Sequence, residues 1–162
     1  KMLLREFRDS IFSDSRIELI QDTRDKLLVR SIHGTKRVVS IPLKLTRDLC
    51  FLAGFIIGDG HLRKSKFSIT LEISDRKIIT LVSKIFERVF DLDLSIRTRK
   101  RLGKLSSHII NFESKAIWLF FRDVFEIPAG KKCFIVKVPK IVLDSPLEFK
   151  KSFISGLFEE SS

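Results

Sequence analysis

From Leu49 to Ile57 the chain reads Leu-Cys-Phe-Leu-Ala-Gly-Phe-Ile-Ile, nine residues with neither charge nor hydroxyl. The run predicts a short helix, with Thr46 able to cap it and Asp48 favourably placed in the first turn. Gly58 and Gly60 are natural places for it to end. A helix apolar all round must be buried on every side, and this one is too short to span a bilayer. Gly54 and Gly58 share a face on which a second helix could approach closely. Asp59 stands where the apolar run stops.

The pattern changes period on either side. Leu4, Phe7, Arg8 and Ile11 predict a helix over Leu3 to Phe12, followed by strands at Ile17–Ile20, Leu27–Ile32 and Lys36–Ile41, with Pro42 as a stop. Beyond Gly60, Phe67, Ile69, Leu71 and Ile73 alternate with Ser68, Thr70 and Glu72, as a half-buried strand should. Asp75 is placed to cap a helix reaching Phe90, with Ile78, Leu81, Val82, Ile85, Phe86 and Val89 as its apolar stripe. Leu94 to Arg101 and Ser106 to Glu113 predict a hairpin around Leu102-Gly103-Lys104. A helix from Lys115 to Phe125 follows Ser114, and its Trp118, Phe120 and Phe121 read as core. After Pro128 to Lys132 the segment Phe134 to Val138 reads as extended. The stretch Phe153-Ile154-Ser155-Gly156-Leu157-Phe158 repeats the character of the central helix, with Gly156 aligned on Gly54.

The Leu52-Ala53-Gly54 and Gly58-Asp59-Gly60 runs, with helix–strand–strand–helix–strand–strand–helix order over about residues 46–127, resemble the LAGLIDADG homing endonucleases. The resemblance implies an α+β fold, an αββαββα repeat with a concave antiparallel DNA-binding sheet, preceded by a small N-terminal appendage. The domain reading is an arm at 1–41, the repeat at 42–127, a connector at 128–148, and the start of a truncated second signature helix at 149–162. The resemblance implies two signature helices packed side by side, with Gly54, Gly58, Ser155 and Gly156 as their small faces. Each helix would deliver an acid to a divalent cation, Mg²⁺ or Mn²⁺. Asp59 is the first acid and a metal ligand, with the Gly58 backbone as a further ligand. In the second motif Ser161 falls on the acid position, and the neighbouring Glu160, one place off register, is the remaining candidate for the second acid. With no Cys or Ser at the start and no His-Asn at the end, the expectation is a unit without protein-splicing ends.

Charge bears on the partner. Lys+Arg of 31 against Asp+Glu of 20 leaves a formal charge of +11, which favours a polyanion, nucleic acid before membrane. Arg63, Lys64 and Lys66 follow the motif, while Arg97, Arg99, Arg101 and Lys104 cluster on the third strand and its turn. With Ser68, Thr70 and Asn111 on polar faces, these are the candidate contacts to double-stranded DNA, with RNA as the alternative polymer. Three arginines on one strand face repel one another without a counterpart, which argues against a merely solvated sheet. The resemblance also implies a basic residue near the reacting phosphate, for which Lys100 and Lys104 are the candidates to stabilise transition-state charge. His33, His61 and His108 show no ligand spacing. Cys50 and Cys133 make no disulfide framework and read as reduced thiols of an intracellular protein.

Two functions are in balance: metal-dependent DNA hydrolysis of the homing-endonuclease type, and a catalytically decayed relative that binds DNA or RNA. An intact Gly58-Asp59-Gly60 favours the first; Ser161 favours the second. A monomer with an internal helix pair is expected in preference to a homodimer.

Overall fold

The computed structural model describes residues 3–34, 36–130 and 137–159. Its elements are α1 (Leu4–Ser13), β1 (Ile17–Asp22), β2 (Lys26–Ser31), β3 (Val39–Pro42), α2 (Arg47–Asp59), β4 (Gly60–Arg63), β5 (Ser68–Ile73), α3 (Arg76–Phe90), β6 (Arg97–Arg99), β7 (Ser107–Glu113), α4 (Lys115–Asp123), α5 (Lys140–Leu143) and α6 (Leu147–Leu157). The strands form two antiparallel sheets, β1-β2-β3 and β4-β5-β7-β6, neither closed into a barrel. The architecture is mixed α+β, and from α2 to α4 it runs in αββαββα order.

The central helix α2 starts as its sequence dictates. The Thr46 hydroxyl accepts the Leu49 N–H at 3.2 Å, and Asp48 pairs with Arg88 at 2.8 Å. Gly58 does not end the helix, which runs on to Asp59 with Gly60 as its cap. Nor is the helix buried on every side: Leu49, Cys50 and Leu52 to Ile56 are buried, but Gly58 is exposed and Asp59 half-buried. The last turn emerges from the core because the strand β4 leaves it at once.

What lies on the glycine face of α2 is α6, which begins after Pro146, well ahead of Phe153. The two helices meet backbone to backbone. A Cβ added at Gly54 would lie 2.1 Å from the Phe153 carbonyl oxygen, and one at Gly156 would lie 2.0 Å from that of Phe51. At Gly58 the nearest atom would be the Leu157 oxygen, at 2.6 Å. Ser155, expected at this crossing, is exposed instead. It neighbours Gly156 in sequence, and successive helical residues do not share a face.

The four-stranded sheet keeps the alternation of β5. Ile69, Leu71 and Ile73 are buried on the helix side, and Thr70 and Glu72 lie on the other, polar face. The β6 strand is shorter than expected, three residues rather than Leu94 to Arg101. The α3 stripe is also rotated from the expected one. Leu81 is 47% exposed while Ile79 and Phe90 are fully buried. The helix offers more apolar positions than one stripe needs, and its neighbours α2 and β3 choose among them.

The N-terminal elements share the core. Phe7 packs edge-on to Phe120 with ring centroids 5.3 Å apart, and Leu27, Val29, Val39 and Ile41 join the same buried cluster. Full burial of one such side chain contributes about 1.5–3 kcal/mol. The β1-β2-β3 sheet thus covers α3 and α4. Pro42 does not lie outside β3; it ends this edge strand opposite Lys26, where a missing N–H is tolerated. The short α5, between Pro139 and Pro146, was not expected. Of the segment expected to be extended, residues 134–136 lie outside the described residues, as does Cys133.

Candidate functional site

The passage from α2 into β4 takes no connecting loop. Asp59 ends the helix and Gly60 opens the strand, pairing with Leu71. A Cβ at Gly60 would lie 2.2 Å from Leu71 Cδ2 and 3.0 Å from the Thr70 oxygen, so close pairing here requires glycine. The geometry fixes Asp59 in the lining of a concavity of about 800 Å³, with Gly58, Gly60, His61, Arg63, Lys64, Ser65 and Gly130. Gly130 closes one wall: its N–H donates to the Leu62 carbonyl at 2.8 Å. At φ +85° it is conformationally suited to glycine, and a Cβ there would meet Lys64 Cε at 2.8 Å. The Lys64 stem therefore crosses Gly130 beside the cavity.

Asp59 is the one carboxylate among the described residues lining this cavity, beside Arg63 and Lys64. No group of three His, Cys, Asp or Glu side chains able to hold a metal ion occurs among the described residues. The donor set therefore does not suit a closed protein cage. It does suit a hard cation held by one carboxylate, several waters and a phosphate oxygen. Glu160, Ser161 and Ser162 lie outside the described residues.

Lys100 and Lys104 are not brought to this cavity. They flank the turn beyond β6, and β5 and β7 separate β6 from β4. At about 4.8 Å per strand that is roughly 14 Å of sheet. Lys64, expected among the DNA contacts, is the lysine beside the acid. His61, Ser65 and Gly130 also line the cavity, and none of the three is a site candidate from sequence. The signal for His61 is its place directly after Gly58-Asp59-Gly60; for Gly130 the sequence carries none.

On the polar sheet face, residues opposite one another in register form rows: Arg63, Ser68 and Glu113; His61, Thr70 and Asn111; Glu72, Ile109 and Arg97. The Thr70 hydroxyl donates to Asn111 Oδ1 at 2.9 Å. Ser68 is only 5% exposed, so of the proposed DNA contacts it is the one withdrawn from solvent. The arginine row does have a counterpart. Glu72 Oε1 lies 3.5 Å from Arg99 and 3.4 Å from Arg101, and accepts the Ser107 hydroxyl at 2.7 Å. Arg97 makes no ion pair among the described residues. Ile109 is buried on this face, between Glu72 and Arg97, where long polar side chains can cover it with their stems.

Trp118 belongs to the core, and its Nε1–H donates to the Arg63 carbonyl at 2.9 Å. Burial pushes the Cys50 thiol up to about 12, which leaves it a protonated, unreactive group. No helix among the described residues is long and apolar enough to cross a membrane.

No family model matches the chain. Over 133 residues, 82% of its length, it is 27% identical to a subunit of the A-type ATP synthase of Pyrococcus abyssi (strain GE5 / Orsay). The chain spans only 12% of that curated relative. It contains no Gly-x-x-x-x-Gly-Lys-Ser/Thr run, the loop that cradles nucleotide phosphates. Among solved structures, a variant of I-DmoI in complex with its target DNA nicked in the coding strand, in the presence of Mn, has a TM-score of 0.47 and 18% identity. That likeness covers 70% of this chain and 60% of the other. I-DmoI in complex with DNA and Mn has a TM-score of 0.44 and 17% identity, covering 70% and 61% respectively.

Proposed function

We propose that this chain is a DNA-cutting unit of the LAGLIDADG homing-endonuclease type. It lays the polar face of the β4-β5-β7-β6 sheet on duplex DNA and hydrolyses a phosphodiester beside Asp59. One observation carries the reading: the acid that ends a glycine-packed helix opens into a cavity flanked by Arg63 and Lys64. Acid and cations in one concavity suit a phosphodiester better than a neutral substrate.

Asp59 would hold a divalent cation, Mg²⁺ or Mn²⁺. Such an ion, when bound, polarises phosphate and lowers the pKa of a water. Arg63 and Lys64 neutralise the phosphate and the charge that develops on it. Thr70, Asn111, Arg97, Arg99 and Arg101 present donors and acceptors to the major groove, where an antiparallel ribbon fits and arginine pairs with guanine. Because α6 occupies the glycine face of α2, that face is not free for the same helix of another copy. The assembly proposed is therefore a monomer with an internal helix pair.

A second reading, a binder of DNA or RNA that no longer cuts, is favoured by Asp59 being the single acid among the described residues that line the cavity. Supercoiled-plasmid cleavage in Mg²⁺ and in Mn²⁺, beside filter binding to duplex DNA and to RNA, separates the two. Metal-dependent nicking lost in Asp59→Asn supports the nuclease. Binding without nicking in either metal supports the binder, and no binding to either polymer overturns both.

A further inference from the structure

The β4–β5 hairpin turns through Lys64, Ser65, Lys66 and Phe67, and two of these are in the left-handed region, Lys66 at φ +61° and Phe67 at φ +49°. Neither is glycine, so the turn carries backbone strain that its surroundings must hold. They do so from three directions. The Ser114 N–H donates to the Phe67 carbonyl at 3.1 Å. The Phe67 ring stands edge-on to Trp118 at 5.1 Å, and Trp118 holds the Arg63 carbonyl. The loop is thus a fixed saddle, with the Asp59 cavity on the flank of Lys64 and Ser65.

On its other flank lies a second concavity of about 250 Å³, between this loop, the β2–β3 turn and the β7–α4 junction. Lys66, Lys115 and His33 line it, with Glu113 the acid among them. Lys115 Nζ sits 4.6 Å from the Phe67 ring centroid, and the Arg16 guanidinium, paired with Asp14, sits 5.8 Å from the same centroid. Burial, then the charge of Arg16, holds Lys115 below the usual lysine range. Arg16 already has Asp14 as its counterion, whereas Lys66 and Lys115 are two cations lining one concavity, and an anion placed between them is attracted by both.

We infer that this second concavity takes a backbone phosphate of the same nucleic acid, so that a strand leaving the Asp59 cavity crosses the Lys66–Phe67 saddle and is held by Lys66 and Lys115 against the N-terminal sheet. The inference rests on the nucleic-acid reading above and extends it. It gives residues 1–41 a share in binding besides their share in the core.

The test is the salt dependence of binding to a random-sequence duplex, for wild type, the Lys66→Ala/Lys115→Ala double variant, the corresponding double Arg variant, and Lys84→Ala, which changes an exposed lysine on α3. The double Ala variant is expected to flatten the log–log slope by about one to two units. The double Arg variant should restore the slope, and Lys84→Ala should leave it unchanged. A wild-type slope in the double Ala variant overturns the inference while leaving the main reading intact. Equal flattening by Lys84→Ala also overturns it. Wild-type protein that binds no duplex removes both. Inorganic phosphate titrated at fixed ionic strength should displace duplex no better than chloride. Saturable displacement that vanishes in the double Ala variant assigns the concavity to a free anion instead.

Discussion

Gly54 and Gly156 face each other's helices in reciprocal fashion: each points its missing side chain at the carbonyl of the residue three places before the other. A Cβ on either would sit 2.0–2.1 Å from that oxygen. The same contact made twice, with the roles exchanged, is the local signature of a two-fold relation between α2 and α6.

Gly54→Ala is therefore expected to cost about 2–4 kcal/mol, because the obstructing atom is backbone and cannot rotate away. Gly103→Ala is the control, since its Cβ would meet nothing within 4 Å and only its φ of +72° adds strain, about 1–2 kcal/mol. Urea denaturation of both variants checks the difference. Equal costs would contradict the backbone crossing.

For Asp59, replacement by Asn should abolish metal-dependent nicking and keep duplex affinity within a few-fold of wild type. Residual nicking at the wild-type rate removes Asp59 from the chemistry.

Glu72→Gln retains an acceptor for the Ser107 hydroxyl but releases Arg99 and Arg101 from their shared carboxylate. Affinity for random-sequence duplex should rise, and the salt dependence should steepen by roughly one to two units of log–log slope. Filter binding across a salt series reads this out. An unchanged slope would mean that both arginines are already fully available.

Trp118→Phe keeps the apolar ring but leaves the Arg63 carbonyl without its donor. A lost partner at a largely buried site costs about 1–3 kcal/mol. Because Arg63 leads into the 64–67 turn, duplex binding should weaken as well as stability. Thermal melts and the filter assay together test the pair of effects.

Cys50 makes the alkaline limb of stability asymmetric. Its folded-state pKa, about 12, stands above the ordinary thiol value of 9.0. Its contribution is complete below about 9 and is lost as the pH climbs towards 12, where the unfolded chain gives up the proton first. Cys50→Ser should remove that part of the alkaline decline. In the native protein at pH 8 the thiol should resist alkylation.

Several parts of this were legible in the sequence because they depend on local chemistry. Thr46 and Asp75 do cap their helices, and the alternation of β5 sets its two faces. The small-residue face of α2 announced a close neighbour, but only half of the α6 contact was readable, since Gly156 serves it and Ser155 does not. The α3 stripe was legible at Val82, Ile85 and Phe86, which are buried as expected, but not at Leu81, Ile79 and Phe90, because apolar residues occupy so much of the circumference that tertiary neighbours decide its edges. Glu72 as counterion to two arginines depends on the register of β5 and β6 on either side of β7, and Gly130 in the cavity wall depends on a backbone bond to Leu62. Neither follows from spacing along the chain.

The helix crossing also fixes an order of events. The glycine face of α2 gains its cover from α6, whose residues 147–157 follow residues 47–59 only much later in the chain, so on a ribosome α2 emerges long before α6 exists. Until then its glycine face is an exposed, self-complementary surface, and a neighbouring nascent chain can offer the same face to it. Slow synthesis between residues 60 and 147 should therefore lower the yield of soluble protein, and a holdase that shields residues 47–59 should restore it.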